Sequence, residues 1–485
     1  MTTKPHLKLG ELNFTNRIYQ FCPHLFLKVK SSPLKDPVLL HLNLELLNRL
    51  GIDEQEIKKS SFTRFLNGDL DFEGLLFVSS YYSGHQFGFY VPRLGDGRAI
   101  LLGELINSEN EYFELQLKGS GLTPFSRMGD GRAVVRSSIR EYLASIHLKA
   151  LNIPTTEALA IIHGSDDVLR EEIEKSAMVL RVSESFLRFG HFQYYAHSGK
   201  NGELENLLSF TINNYFKEFS DHPNRYVLFF QSVVKKTAKL FAAWQSVGFA
   251  HGVLNTDNMS ILGLTIDFGP FGFIEHLDLD HICNHSDHEG RYSFGNQPPI
   301  GMWNLEQLGN SLINFIGQEA LERTLQTYPQ IFHVEYRRLL KEKLGLYSSL
   351  ESDEDFLKMT LNMLVSTKID YTNFFREISH YQTRKSLPFP ESSELSFFLE
   401  QYNQRLLAEE ETDAIRQEKM LLRNPKFVLR NYLAQVAIDN YLHDPKKMEK
   451  IFEILSNPYS EWEEFDEWSK PPNSNYKNVK VSCSS

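Results

Sequence analysis

Residues 251–269, HGVLNTDNMSILGLTIDFG, decide how this chain is read. The helical apolar pattern of TAKLFAAWQSV runs into Gly248, placed where a helix stop is expected. Beyond it come His251, then Asn258, then the apolar stretch SILGLTIDFG, read as a short strand that ends in Asp267-Phe268-Gly269. An amide and a carboxylate offered from neighbouring loops are the hard oxygen donors that hold a divalent cation against phosphates. The segment therefore points first to phosphate chemistry.

Protein kinases use the same order, His-Arg-Asp, an Asn five residues after that Asp, a strand and Asp-Phe-Gly. Here Asn258 falls five residues after Val253, so a valine stands where the catalytic base belongs. It can neither accept a proton nor orient a hydroxyl. Asp257, directly before Asn258, is the nearest carboxylate able to take that role. The competing role for Asp257 is that of an aspartate capping its own loop.

Upstream, residues 72–120 read as strands separated by glycine turns, FEGLLFVSSYYSG, RAILLGELI and YFELQLKG. From Ala133 the spacing of Val135, Ile139, Leu143, Ile146 and Leu148 predicts a helix. Lys118 ends the last strand and Glu141 follows 23 residues later on that helix, the arrangement of a phosphate-binding lysine and the carboxylate that holds it. Two Gly-Asp-Gly-Arg turns recur, Gly95–Arg98 and Gly129–Arg132. Such turns present backbone amides to phosphate oxygens, or serve as hairpin turns with no ligand. Arg181 and Arg188 flank a strand-to-helix turn in VLRVSESFLRFGHF. With Arg98 and Lys118 they would surround a triphosphate with more fixed positive charge than a kinase needs, which suits a pyrophosphate leaving group.

Beyond about residue 305 the pattern is mostly helical, as in FLKMTLNMLVSTKIDYTNFF and FVLRNYLAQVAIDNYL. Hydrophobic residues at 41% and aromatics at 13% supply a sizeable core, so a folded chain is expected. The 51 basic and 62 acidic residues give a net charge of −11 with no basic stripe, which argues against nucleic acid as a partner. No apolar run approaches the roughly 18 residues of a membrane span and no signal peptide is evident, so the expectation is a soluble cytoplasmic protein without a membrane partner. Cys22, Cys283 and Cys483 are too few and too scattered for a zinc site or a disulfide framework.

The stretches YSGHQFG, LGDGRAILLGE, ELQLKGSGLTPFSRMGDGRAVVRSSIREYLAS, LRVSESFLRFGHFQ, HGVLNTDNMSILGLTIDFGPFGF, ICNHSDHEGRYSFGNQPPIGMWNLEQL and NPKFVLRNYLAQVAI follow one another over roughly residues 80–440. In them the chain resembles the selenoprotein O family of pseudokinase-fold protein adenylyltransferases. The resemblance implies an α+β, protein-kinase-like two-lobed fold with N-terminal and C-terminal helical additions. The implied division is an extension over 1–75, an N-lobe over 76–190, a C-lobe over 191–345 and a helical region with tail over 346–485. It implies ATP bound in reverse relative to kinases, with AMP passing to Ser, Thr or Tyr hydroxyls of proteins. Nucleotide contacts are implied for Gly95, Gly97, Arg98, Lys118, Asp130, Gly131, Arg181, Arg188 and Asp267, with Glu141 pairing Lys118. Asn258 and Asp267 would ligate Mg²⁺, with Mn²⁺ as the alternative metal, and Asp257 would be the base. UTP is the alternative nucleotide. Rival activities are a γ-phosphoryl-transferring protein kinase, a protein uridylyltransferase and an inert ATP-binding pseudokinase scaffold. Cys483 stands where some members of the family carry selenocysteine, and a redox pair of Cys283 with Cys483 is a further expectation.

Overall fold

Runs of apolar and β-branched residues with a period of two build strands, and here the longest of them join one antiparallel sheet. The computed structural model describes residues 6–70, 72–472 and 479, and among these the sheet has nine strands. Its order is Phe26–Lys28, Val78–Ser80, Ala99–Ile106, Tyr112–Lys118, Ile173–Ser183, Glu157–Leu169 and Val38–Leu42. Asn13–Thr15 pairs with Ala99–Ile106, and Ala133–Val134 pairs with Ile173–Ser183.

The register of this sheet sets the site. Lys118 lies opposite Val179 and Gln116 opposite Arg181. Because side chains alternate, Gln116, Lys118 and Arg181 share one face while Leu115, Leu117, Leu180 and Val182 share the other. The second face packs against Leu46, Leu47, Phe62 and Phe65 of the helices Leu44–Arg49 and Ser60–Leu66. Each such buried side chain contributes about 1.5–3 kcal/mol of apolar burial. On the first face lies the helix Val135–Ala150, with Ile139, Tyr142 and Leu143 fully buried and Glu141 turned toward the sheet's cations.

The helix Arg225–Val247 ends at Gly248, whose φ of +73° lets its N–H reach the carbonyls of Trp244 and Gln245. The chain then makes the two-residue strand Phe249–Ala250, which pairs with Gly272–Phe273 and ties together both ends of the intervening loop. The apolar stretch at 260–269 is not the strand its sequence suggests: among the described residues it makes only isolated bridges, Thr155 with Thr265 and Arg188 with Ser260. Left-handed backbone at Gly263 and Asp267 (φ +70° and +56°) prevents continuous pairing, and Ile261 and Ile266 are apolar because they are buried. Helices Gln297–Ser311 and Thr327–Lys343 pack on Arg225–Val247, and later helices such as Asp353–Thr367, Tyr371–Ile378 and Ser393–Leu406 form a further core. The class is thus mixed, a large antiparallel sheet with many helices. No helix among the described residues is long and apolar enough to cross a membrane.

Candidate active site

A cleft of about 700 Å³ opens between the Gln116–Lys118 face of the sheet and the loop that follows Val253. Gly95, Gly97, Arg98, Lys118, Asp130, Gly131, Arg181, Arg188, Asp257, Asn258 and Asp267 all line it. Glu141 lies behind Lys118, pairing its Oε2 with Nζ. The structure thus brings together residues that the sequence scatters over more than a third of the chain.

Charge is concentrated there. Glu141 accepts from Arg181 Nε at 2.5 Å and Nη2 at 3.1 Å as well as from Lys118. Burial alone would raise its carboxyl, but Arg181 and Lys118 prevail and hold it at about 2. Burial lowers Lys118 to about 8 against the opposing pull of Glu141. Asp267 pairs with Arg188 through Oδ2 and lies 3.2 Å from Arg181 through Oδ1. Burial opposes its ionisation, yet the two guanidinium groups keep it far below the ordinary carboxylate range. Arg98 has no ion pair and no side-chain hydrogen bond among the described residues, and burial pulls it below an ordinary arginine despite Glu141 and Asp267. Among the described residues the cleft is lined by seven cations (Arg98, Lys118, Arg127, Arg132, Arg170, Arg181 and Arg188) against four aspartates (Asp96, Asp130, Asp257 and Asp267), with Glu141 behind Lys118, a net positive site suited to a polyanion.

Asp257 sits on the turn Thr256–Asn258. Its Oδ2 accepts from Gln86 Nε2 at 3.3 Å, and its buried Oδ1, packed against Gly84, has no side-chain hydrogen-bond partner among the described residues. Burial raises its carboxyl to about 6, with Arg188 and Gln86 pulling the other way, a value near that required of a general base. Val253 also lines the cleft and offers no polar atom from its side chain. Asn258 spends its Nδ2 on the carbonyl of Val253 at 3.0 Å, which leaves its Oδ1 as the side-chain atom able to ligate. Together with the ionised carboxylate of Asp267 this donor pair fits a hard divalent cation.

The first turn owes its shape to glycine. Gly95 has a φ of +106°, and a Cβ there would meet the Phe125 ring at 2.6 Å. Asp96 of the same turn also lines the cleft and accepts from Ser80 Oγ at 2.7 Å and Tyr82 OH at 3.3 Å. In the second turn Asp130 is held by Arg170 at 2.8 and 2.9 Å, and a Cβ on Gly131 would fall 2.1 Å from the Gly121 backbone. Sequence reasoning assigned no role to Arg170 or Gln86. Gln86 belongs to the hairpin Gly84–Gln86/Phe89–Val91, which is fastened to the loop that carries Asp257: His85 N donates to Thr256 Oγ1 at 2.7 Å and Phe87 N to Asn255 Oδ1 at 3.3 Å, with Tyr292 OH also accepting from Phe87 N at 2.9 Å. These partners lie 168 or more positions apart in the chain, and no local signal joins them. Cys283 is buried beside the carbonyl of Ala250, whereas Cys483 lies outside the described residues.

Glycine turns, a cationic cleft, an amide–carboxylate pair and a buried carboxylate are the donors and charges that phosphate-transfer chemistry calls for. The family described as protein adenylyltransferase SelO matches residues 8–468. The chain belongs to that family. It is also 41% identical over 480 residues to the protein nucleotidyltransferase YdiU of Klebsiella pneumoniae, covering 98% of this chain and 100% of the relative. The YdiU proteins of Stutzerimonas stutzeri and Pseudomonas fluorescens are 39% and 40% identical, each match covering 98% of this chain and 99% of the relative.

Proposed function

We propose that this enzyme transfers AMP from ATP to Ser, Thr or Tyr hydroxyls of proteins, releasing pyrophosphate. The observation that carries this reading is the distribution of charge: Arg98, unpaired among the described residues, and the cluster of Lys118, Arg181 and Arg188 line the same cleft as Asp257, whose buried Oδ1 makes no side-chain hydrogen bond there. In this reading Asp257 takes the proton of the acceptor hydroxyl, whose oxygen attacks the α-phosphorus. The bond from that phosphorus to the β-phosphate oxygen breaks, and the electron pair leaves with pyrophosphate, which the arginines and Lys118 receive. Gly95, Gly97, Gly131 and the amides around them cradle the phosphates, while Asp130, fixed by Arg170, shapes the second turn.

Asn258 and Asp267 would hold Mg²⁺, or Mn²⁺, which accepts the same oxygen donors. The bound cation would neutralise phosphate charge and fix the triphosphate. Both oxygens of Asp267 contact guanidinium here, so a cation would enter by exchanging with those contacts. At the level of architecture, residues 76–190 act as a kinase-like small lobe and 191–345 as the large lobe, with 1–75 and 346–485 as additions. The working compartment in this proposal is the cytoplasm.

Label position tests the activity. Incubation with α-labelled ATP is expected to label acceptor protein, γ-labelled ATP is expected not to, and α-labelled UTP measures the tolerance for the base. Label from the γ position alone would make the enzyme a kinase and overturn the proposal.

A further inference from the structure

Three large apolar side chains stand in water on the segments that border the cleft. Phe89 is 78% exposed, Leu122 62%, and Met128 is fully exposed. Phe89 lies on the hairpin opposite Gln86, the residue that touches Asp257. Leu122 and Met128 lie on the loop closed by the hydrogen bond from Gly121 N to Gly131 O at 3.1 Å. Arg93 joins the two segments, its Nη2 reaching the carbonyl of Pro124 at 3.4 Å, so hairpin and loop form one continuous rim.

The rim is also basic. Arg93 and Arg127 are exposed and have no carboxylate partner among the described residues, and Asp130 nearby is already committed to Arg170. In a chain with a net charge of −11 this is a local reversal of sign. Arg127 also holds a left-handed φ of +54°, a conformation costly for a non-glycine residue and one that fixes the loop's outward course. None of these side chains is used by the chemistry above. A surface that is apolar and cationic, placed beside the base, complements a polypeptide that brings apolar and acidic residues along with its hydroxyl.

We propose that the rim formed by Phe89, Leu122, Met128, Arg93 and Arg127 is the docking surface for the acceptor protein and selects hydroxyls flanked by apolar and acidic residues. The inference rests on the adenylyl-transfer reading only in taking the occupant to be a polypeptide. Its test therefore measures binding as well as turnover.

Two fluorescent synthetic peptides serve as probes, one with a central Ser flanked by Phe, Leu, Asp and Glu, the other with Asn and Lys at those flanks. By fluorescence anisotropy the full-length protein is expected to bind the first about tenfold or more tightly, the effect of partly burying one or two apolar side chains. Phe89→Ser with Met128→Ser is expected to bring the two peptides close to parity while the affinity for a fluorescent ATP analogue stays unchanged. Equal binding of both peptides by the unaltered protein would overturn the proposal, as would a preference that survives the double substitution. Two further outcomes count against it: a dimer in light scattering that the double variant dissolves, assigning the rim to a second copy, and rim-dependent pelleting with phosphatidylserine vesicles, assigning it to a membrane. Since anisotropy needs no turnover, γ-label transfer would defeat the adenylyl-transfer reading and leave this result readable on its own.

Discussion

Asp257 is buried by 93% of its surface, and as the proposed base it would act only in its charged form. Burial raises its carboxyl to about 6, and Arg188 and the hydrogen bond from Gln86 both oppose that rise. A base works only when ionised, so kcat/KM for the acceptor is expected to climb as pH rises through about 6 and to fall below it. Removing the donor with Gln86→Leu takes away a contact that lowers the carboxyl, so the acid limb should move to higher pH. Asp257→Asn should cost about 10²–10⁴ in rate. Profiles of α-label transfer across pH for the three proteins check both statements. An unmoved acid limb in Gln86→Leu would remove the hairpin from the mechanism, and a full rate in Asp257→Asn would remove the base. From sequence, Asp257 stood out through its place beside Asn258 with base and loop cap as alternatives, while its burial and its contact with a residue 171 positions away leave no local signal.

Among the elements, the strand Tyr112–Lys118, the strand Ile173–Ser183 and the helix Val135–Ala150 meet at Glu141, which neutralises Lys118 and Arg181 at once. The side chains of all three are less than 10% exposed. Replacing Glu141 with Gln leaves two buried cations facing a neutral group, and breaking such a cluster from one side costs about 3–5 kcal/mol. A clear fall in melting temperature is expected, together with weaker nucleotide binding as Lys118 loses its anchor; a variant as stable as the parent would show that the cluster carries no such burden. Glu141→Gln should also lose a pH effect. The depressed carboxyl contributes stability present above its unfolded value, near 4.5, that is lost as pH falls toward about 2. The variant should therefore show a shallower acid-induced loss of stability. These elements were legible because alternation and helical spacing are local properties. The run at 260–269 was misread because its apolar residues report burial, while the left-handed turns at Gly263 and Asp267 that break the pairing leave no mark in the pattern. The early strands Asn13–Thr15, Phe26–Lys28 and Val38–Leu42 were likewise unread, being short and paired with distant partners.

At the scale of the molecule, the C-terminal segment grips the same helix that carries Glu141. Arg140 donates to the Phe271 carbonyl at 2.9 Å and to Asn431 Oδ1 at 3.3 Å, and the Leu455 carbonyl lies 3.1 Å from His147 Nδ1. Arg430, fully buried, fastens this segment to the chain just past the functional loop, pairing with Glu275 and reaching Asp370 at 2.9 and 3.0 Å. Arg430→Met removes the one cation shared by two carboxylates. The cost should be about 3 kcal/mol, the low end for such a break because Glu275 keeps 35% of its side chain in solvent. Its pH dependence has a definite sign. Burial raises Glu275 to about 7 against the pull of Arg430, so its contribution is fully present below about 4.5 and is lost as pH rises through the folded value. Without Arg430 that value moves higher still, and each step toward alkaline pH forces more uncompensated charge into the junction. Melting curves at pH 5 and pH 8 should therefore show a larger deficit at pH 8 for Arg430→Met relative to the parent. Equal deficits at the two pH values would mean that the junction is held by packing alone, and that the charge of Arg430 does not couple the C-terminal clasp to the loop bearing Asp257 and Asp267.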